Sequence, residues 1–161
     1  MRISAKADYA VRAALELAGP PAGLRKAEEV AAAQGIPPRF LETVLTDLRR
    51  AGIVASQRGV HGGHRLARDP GAVTLADVVR AVDGPLVFVN GERPSDLTYS
   101  GTAEVLLPVW VAVRSAVRQV LEGVTLADII AQQLPAEVEA LTSAPDAWDN
   151  DPVPSPTRGR D

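Results

Sequence analysis

A chain of 161 residues suffices for one domain, or for one small domain with an appended element. Its 46% hydrophobic and 23% charged residues allow a core, and with only 4% aromatics that core is built from Ala, Val and Leu, which favours helices. The formal charge is −3, and the absence of cysteine excludes disulfides, thiolate-held metal sites and cysteine nucleophiles.

The first predicted element is a helix over 5–18, where Tyr9, Ala10, Ala13, Ala14 and Leu17 recur on one stripe before Gly19-Pro20-Pro21 ends it. This N-terminus has no long apolar stretch followed by a small-residue cleavage site. It therefore does not read as a secretory signal. No run approaches the roughly 18 apolar residues of a membrane span, so a soluble, cytoplasmic protein is expected.

An Ala-rich helix at 25–34 ends at Gly35, the residue type that takes the left-handed position after a helix. A third helix starts with Pro38 in its first turn, where the missing N–H is harmless. Phe40, Leu41, Val44, Leu45 and Leu48 form its apolar stripe, while Arg39, Glu42, Thr43, Thr46, Arg49 and Arg50 face away. Two short strand-like runs follow, IVASQRG and HRLARD, on either side of VHGG, and read as a β-hairpin.

A helix opens at Thr74 with Asp77 three residues on, a capping-box arrangement, and buries Leu75, Val78, Val79 and Val82. Residues 90–102 are polar with Gly, Pro and Ser, and read as a loop. A long apolar helix is expected at about 103–122, with Val105, Leu106, Val109, Trp110, Val113, Val117, Val120 and Leu121 in its stripe and Pro108 marking either its start or a bend. Thr125 and Asp128 repeat the cap pattern before a short helix. From 143 to 161 the chain is Pro-rich and polar, and disorder is expected there.

The order helix, helix, Gly-containing turn, helix, hairpin describes a winged helix-turn-helix, in which the third helix enters the major groove and the hairpin reaches phosphate or an adjacent groove. Helical bundles with a hairpin also occur without nucleic acid. Charge favours the DNA reading: residues 1–70 carry 11 Lys and Arg against 7 Asp and Glu, a net of +4, whereas residues 71–161 carry 6 against 13, a net of −7. Around the hairpin tip stand Arg58, His61, His64, Arg65 and Arg68, with Gly62 and Gly63 offering a backbone that no side chain holds away from phosphate. An arginine beside such a tip suits a narrow minor groove. His61 and His64 also read as half of a metal site. Most such sites need three ligands or more, no third histidine exists, and Asp69 reads as a turn cap before Pro70, so no metal is expected. No nucleophile elbow or phosphate loop is present, and Glu28-Glu29 reads as a solvated helix face, so no enzyme is expected.

Three segments, RISAKADYAVRAALELA, the run from AAAQGIPPRF through LRRAGIVASQRGVHGGHRLARDPGAVTLADVVRAVDGPL, and VRQVLEGVTLADI, resemble the Rrf2 family of bacterial transcription regulators over about residues 1–133. The section 90–110 matches poorly. The stretch LRRAGIVASQRGVHGGHRLAR is the most specific part, with His64 where the family often has tyrosine. The resemblance implies a mainly helical protein with a winged helix-turn-helix over 1–84, a sensor loop over 85–102, and a dimerisation helix with a C-terminal helix over 103–134. It implies a homodimer on a pseudo-palindromic operator, usually repressing transcription. By position, Glu42 matches a recognition-helix glutamate that accepts from a cytosine amino group, and Arg58 matches a wing arginine that enters the minor groove. Arg39, Thr43 and Thr46 are candidates by helix face. Many relatives hold an iron–sulfur cluster on three cysteines between the DGPL helix and the tryptophan. Here that window has none, so no thiolate-held cluster and no cofactor are expected. Asp8 matches an acidic position that completes the cluster in some relatives; a plain surface charge is the other reading. The switch is then a small molecule near Trp110 and the 90–102 loop, or a regulatory partner protein, or none. An interaction module that keeps the fold without specific DNA binding is the alternative.

Overall fold

The computed structural model describes residues 3–21, 23–89, 91–145 and 147–149. Most of the 143–161 segment expected to be disordered lies outside them. Among the described residues, seven α-helices and one hairpin occur in chain order: α1 Ala5–Ala18, α2 Ala27–Gln34, α3 Pro38–Arg50, β1 Val54–Gln57, β2 Gly63–Leu66, α4 Leu75–Asp83, α5 Leu106–Gly123, α6 Leu126–Ile130 and α7 Ala136–Thr142.

Helix α1 is the axis of the core. Its stripe of Ala7, Ala10, Ala13, Ala14 and Leu17 is buried, and four alanines in five positions let α3 and α4 approach closely. The Ser4 hydroxyl accepts from the Ala7 N–H (2.9 Å) and donates to Asp83 (2.6 Å), joining the start of α1 to the end of α4. Lys6 donates to the Val82 carbonyl (2.9 Å) and pairs with Asp47 on α3 (2.7 Å), so one side chain ties three helices. Helix α3 buries Leu41, Val44, Leu45 and Leu48 against this axis, and each fully buried leucine contributes about 2 kcal/mol.

The hairpin is antiparallel, with Val54 opposite Leu66, Ala55 opposite Arg65, Ser56 opposite His64 and Gln57 opposite Gly63. It is fastened to the body by a pair of backbone hydrogen bonds, Arg25 N–H to His64 O and His64 N–H to Arg25 O, both 2.8 Å. Arg25 is itself held by Glu16 (3.0 Å) and Glu29 (3.5 Å).

The capping boxes predicted at Thr74–Asp77 and Thr125–Asp128 are both formed. The two VTLAD segments that carry them also pair with each other, since Leu75 N–H donates to Val124 O (2.9 Å) and Leu126 N–H to Val73 O (3.0 Å). The chain thus returns after α5 to pack α6 on α1. Helix α7 is absent from the predicted elements, although Pro135 before it and Glu137 in its first turn are helix-start signals. It fully buries no side chain, so no apolar stripe announces it.

Helix α5 begins at Leu106 with Pro108 in its first turn, where no N–H is required, which settles Pro108 as a start and not a bend. None of its residues is buried within the chain. Val105, Val109, Val111 and Val113 are exposed by 76%, 51%, 45% and 37%. Its C-terminal end is anchored by Glu122, which accepts from Arg80 on α4 and from Arg118 (3.0 Å). Hydrogen bonds from Arg118 and Arg80 hold the Glu122 carboxyl at about 2, below its ordinary 4.5. Their stabilisation is complete above pH 4.5 and is lost as the pH falls through about 2. The melting-temperature gap between wild type and Glu122→Gln will therefore be present at neutral pH and close on acidification toward pH 2. A gap that persists at pH 2 would show that the carboxylate charge is not its source.

Candidate nucleic-acid interface

The α3 helix divides its outward residues into three rows. Arg39, Thr43, Thr46 and Arg50 follow i, i+4, i+7, i+11 spacing down the middle, opposite the buried stripe. On the α1 side, the Phe40 ring meets Tyr9 edge-on at 5.9 Å, and Asp47 is occupied by Lys6 and by Arg50 (3.5 Å). On the wing side, Glu42, Thr46 and Arg49 line a cleft of about 180 Å³ with Ala27 and His64. The two threonine hydroxyls turn back on the helix, Thr46 donating to Glu42 O (2.9 Å) and Thr43 to Arg39 O (3.4 Å).

Strand alternation separates the first two residues of the HRLAR run. His64 and Arg65 are neighbours in β2 and so face opposite sides of the hairpin. His64 is turned toward α3 and half-buried, with Nδ1 enclosed and without a hydrogen-bond partner. Burial and the Arg49 charge hold its imidazole below the ordinary 6.5, with Glu28 pulling the other way. It is therefore neutral at neutral pH. Arg65 lies on the outer side and is exposed. His61 is exposed in the tip.

The two central glycines face the protein's own backbone. A Cβ on Gly62 would stand 2.2 Å from Gln57 O, and one on Gly63 would stand 2.6 Å from Arg25 O. Their lack of side chains lets the tip close and the wing dock. Arg68 does not belong to the tip cluster: it donates to the Ala72 carbonyl and lies 3.7 Å from Asp77, on the α4 side. Asp69 caps the turn, accepting from Gly71 N–H at 2.8 Å.

Ion pairing sorts the cations of the basic half. Lys6, Arg12, Arg25, Arg50 and Arg68 each have a carboxylate within 4.0 Å. Lys26, Arg39, Arg49, Arg58 and Arg65 have none among the described residues, and all five are exposed. These five stand on the α2 start, on α3 and on the wing. Lys26, Arg49 and Arg58 line one open groove of about 580 Å³ along the wing. Lys26 was not among the sequence candidates, because only the Arg25–His64 pairing brings the start of α2 against the hairpin. Electrostatically, this is a surface with unneutralised positive charge beside a protruding helix, suited to phosphate and base edges.

The two effector candidates stand apart within the chain. Asp8 is exposed, with its carboxylate 3.0 Å from Arg12 Nε. The Arg12 guanidinium also covers the Tyr9 ring at 5.1 Å. Trp110 lines a groove of about 400 Å³ with Pro85, Leu86, Val87, Phe88, Val89 and Val113, and its indole Nε1 is buried without a partner. Asp8 does not line that groove.

The Rrf2 family model, described as an iron-dependent transcriptional regulator, matches residues 3–132. An HTH-type transcriptional regulator of Mycobacterium tuberculosis is 49% identical over 142 residues, covering 88% of each chain. Among solved structures, CymR, the global cysteine regulator of Bacillus subtilis, superposes with a TM-score of 0.64 at 30% identity, covering 83% of this chain and 98% of its own. IscR of T. potens superposes at 0.63 with 31% identity, covering 86% and 96%. These neighbours establish the winged-helix fold. The donor set here does not fit an iron centre held within one chain. There is no cysteine, and among the described residues no three His, Asp or Glu side chains converge.

Proposed function

We propose, on the premise that this chain belongs to the Rrf2 family of transcriptional regulators, that it acts in the cytoplasm as a homodimeric repressor on a pseudo-palindromic operator. The family membership and fold make it a DNA-binding regulator of transcription. The observation that carries the finer reading is the sorting of charge: among the described residues the basic half neutralises its cations internally except on α2, α3 and the wing. The unburied α5, with Val109 and Val113 outward, supports a second copy as its cover.

In this reading α3 lies in the major groove, with Arg39, Glu42, Thr43 and Thr46 toward base edges and Arg49 and Arg50 toward the backbone. Arg58 enters the neighbouring minor groove, and His61 and the wing backbone follow the phosphates. His64 supports the wing from within. The signal is a small molecule in the Trp110 groove, whose unpartnered indole N–H would meet a ligand acceptor, or else a regulatory protein. Asp8 enters this reading only through a partner copy, since it stands away from Trp110.

The test is binding to duplexes selected in vitro from a random pool, measured across salt. Affinity is expected to fall linearly on a log–log plot, with a slope of about −0.9 per phosphate contacted. Arg58→Ala will lose roughly tenfold or more per half-site, as expected for a charge-assisted contact, and His64→Ala will lose less. A chain that enriches no sequence above random DNA at about 50 mM salt is an interaction module. A larger loss for His64→Ala would place the imidazole on DNA.

A further inference from the structure

We infer that the middle of the recognition helix reads thymine methyl groups, so that each half-site presents A·T pairs opposite Thr43 and Thr46. This deepens the operator-binding reading and rests on it. The argument begins from the hydroxyl proton. Threonine has one, and in both residues it is turned toward the helix: Thr46 donates to Glu42 O at 2.9 Å, and the Thr43 hydroxyl faces Arg39 O at the longer distance of 3.4 Å. Thr46 therefore has no donor left for a base, and the Thr43 hydroxyl leans the same way. What each offers outward is a γ-methyl and an acceptor lone pair.

The major-groove edges of the base pairs differ in how they meet such a surface. Both pairs show two acceptors and one amino donor in the major groove, guanine N7 and O6 with the cytosine amino group or adenine N7 and thymine O4 with the adenine amino group, and only the A·T pair adds a methyl. A surface with a methyl and an acceptor but no donor can meet the amino group of either pair, but finds an apolar partner only in the thymine methyl. The neighbourhood extends the apolar strip. Phe40, three residues before Thr43 and on its flank, is 55% exposed with its ring fixed by the edge contact to Tyr9. Charge is drawn away from that flank, since Asp47 is held by Lys6 at 2.7 Å.

The experiment replaces, one at a time, each thymine of a selected operator with deoxyuridine, which removes only the methyl. The wild-type protein is expected to lose about fourfold in affinity per methyl at one or two positions of each half-site, the value of one buried carbon. Thr43→Ser and Thr46→Ser keep the hydroxyl and remove the γ-methyl, and should bind thymine and uracil duplexes alike. Thr43→Val and Thr46→Val keep the methyl and should keep the preference. Thr43 is exposed and Thr46 is half-buried at the edge of the wing cleft, outside the core, so melting temperatures of the serine variants should stay close to wild type. Indifference to uracil at every position, or G·C pairs selected at the half-site centre, overturns the methyl reading alone. A pool that enriches nothing overturns it together with the operator reading.

Discussion

Gly63→Ala is expected to detach the wing from the body and to remove the wing's share of operator affinity. The new Cβ would lie 2.6 Å from Arg25 O and 2.9 Å from Arg25 C. These are backbone atoms, fixed by the Glu16 and Glu29 pairs on the same residue, so they cannot yield as a side-chain tip would. Relief requires the hairpin to move outward, which stretches both 2.8 Å hydrogen bonds between Arg25 and His64. Overpacking and two weakened backbone bonds together cost about 2–4 kcal/mol. Gly59→Ala is the informative control. Gly59 has φ +109° and nothing near its Cβ position, so alanine there meets backbone strain of roughly 1–3 kcal/mol without a clash and without touching Arg25. Thermal melts and operator titrations of both variants check this. Wild-type stability and affinity for Gly63→Ala would mean that the wing does not need its seat on Arg25.

The second large effect concerns α5. Val109→Asp combined with Val113→Asp should convert a dimer to monomers, read as a halved mass by light scattering. Operator affinity should then fall roughly 10²–10⁴-fold, because the second half-site is no longer delivered at high effective concentration. The two valines are 51% and 37% exposed in the single chain, so the α1–α4 body should melt as before. A variant that stays dimeric, or a wild type that is monomeric and still binds a palindrome tightly, would remove α5 from the interface. The choice of aspartate matters: a charge that stays solvated in the monomer would have to be desolvated in a dimer.

Much of the fold was legible because its signals are local. The 3.6-residue stripes of α1 and α3, the Thr–Asp capping boxes, Gly35 after α2 and the runs around Gly-Gly each lie within a few residues of the structure they specify. The outward residues of α3 follow from the same periodicity, since they lie away from the four buried side chains. Helix α7 escaped because caps without an apolar stripe are a weak signal. Arg68 was misplaced for another reason: it is close to the wing in sequence, but its partners Ala72 and Asp77 lie on the far side of a turn.

The amino-acid order by itself determined the element types up to α6, the buried positions Leu41, Val44, Leu45 and Leu48 of α3, its outward residues and the lack of thiolate ligands. It did not foresee that Phe40 is 55% exposed or that α4 buries Ala76 and Val78 while Leu75, Val79 and Val82 stay half-buried. Tertiary structure alone decided which cations stay unpaired, that His64 turns inward beside Arg49, that Gly62 and Gly63 serve backbone contacts, and that no residue of α5 is fully buried within the chain. The physical reason is range. Periodicity and capping are set by neighbours along the chain, whereas ion pairs and close packing are set by what the fold brings alongside. The Arg25–His64 pairing joins positions far apart in sequence, and no local pattern at either one announces it.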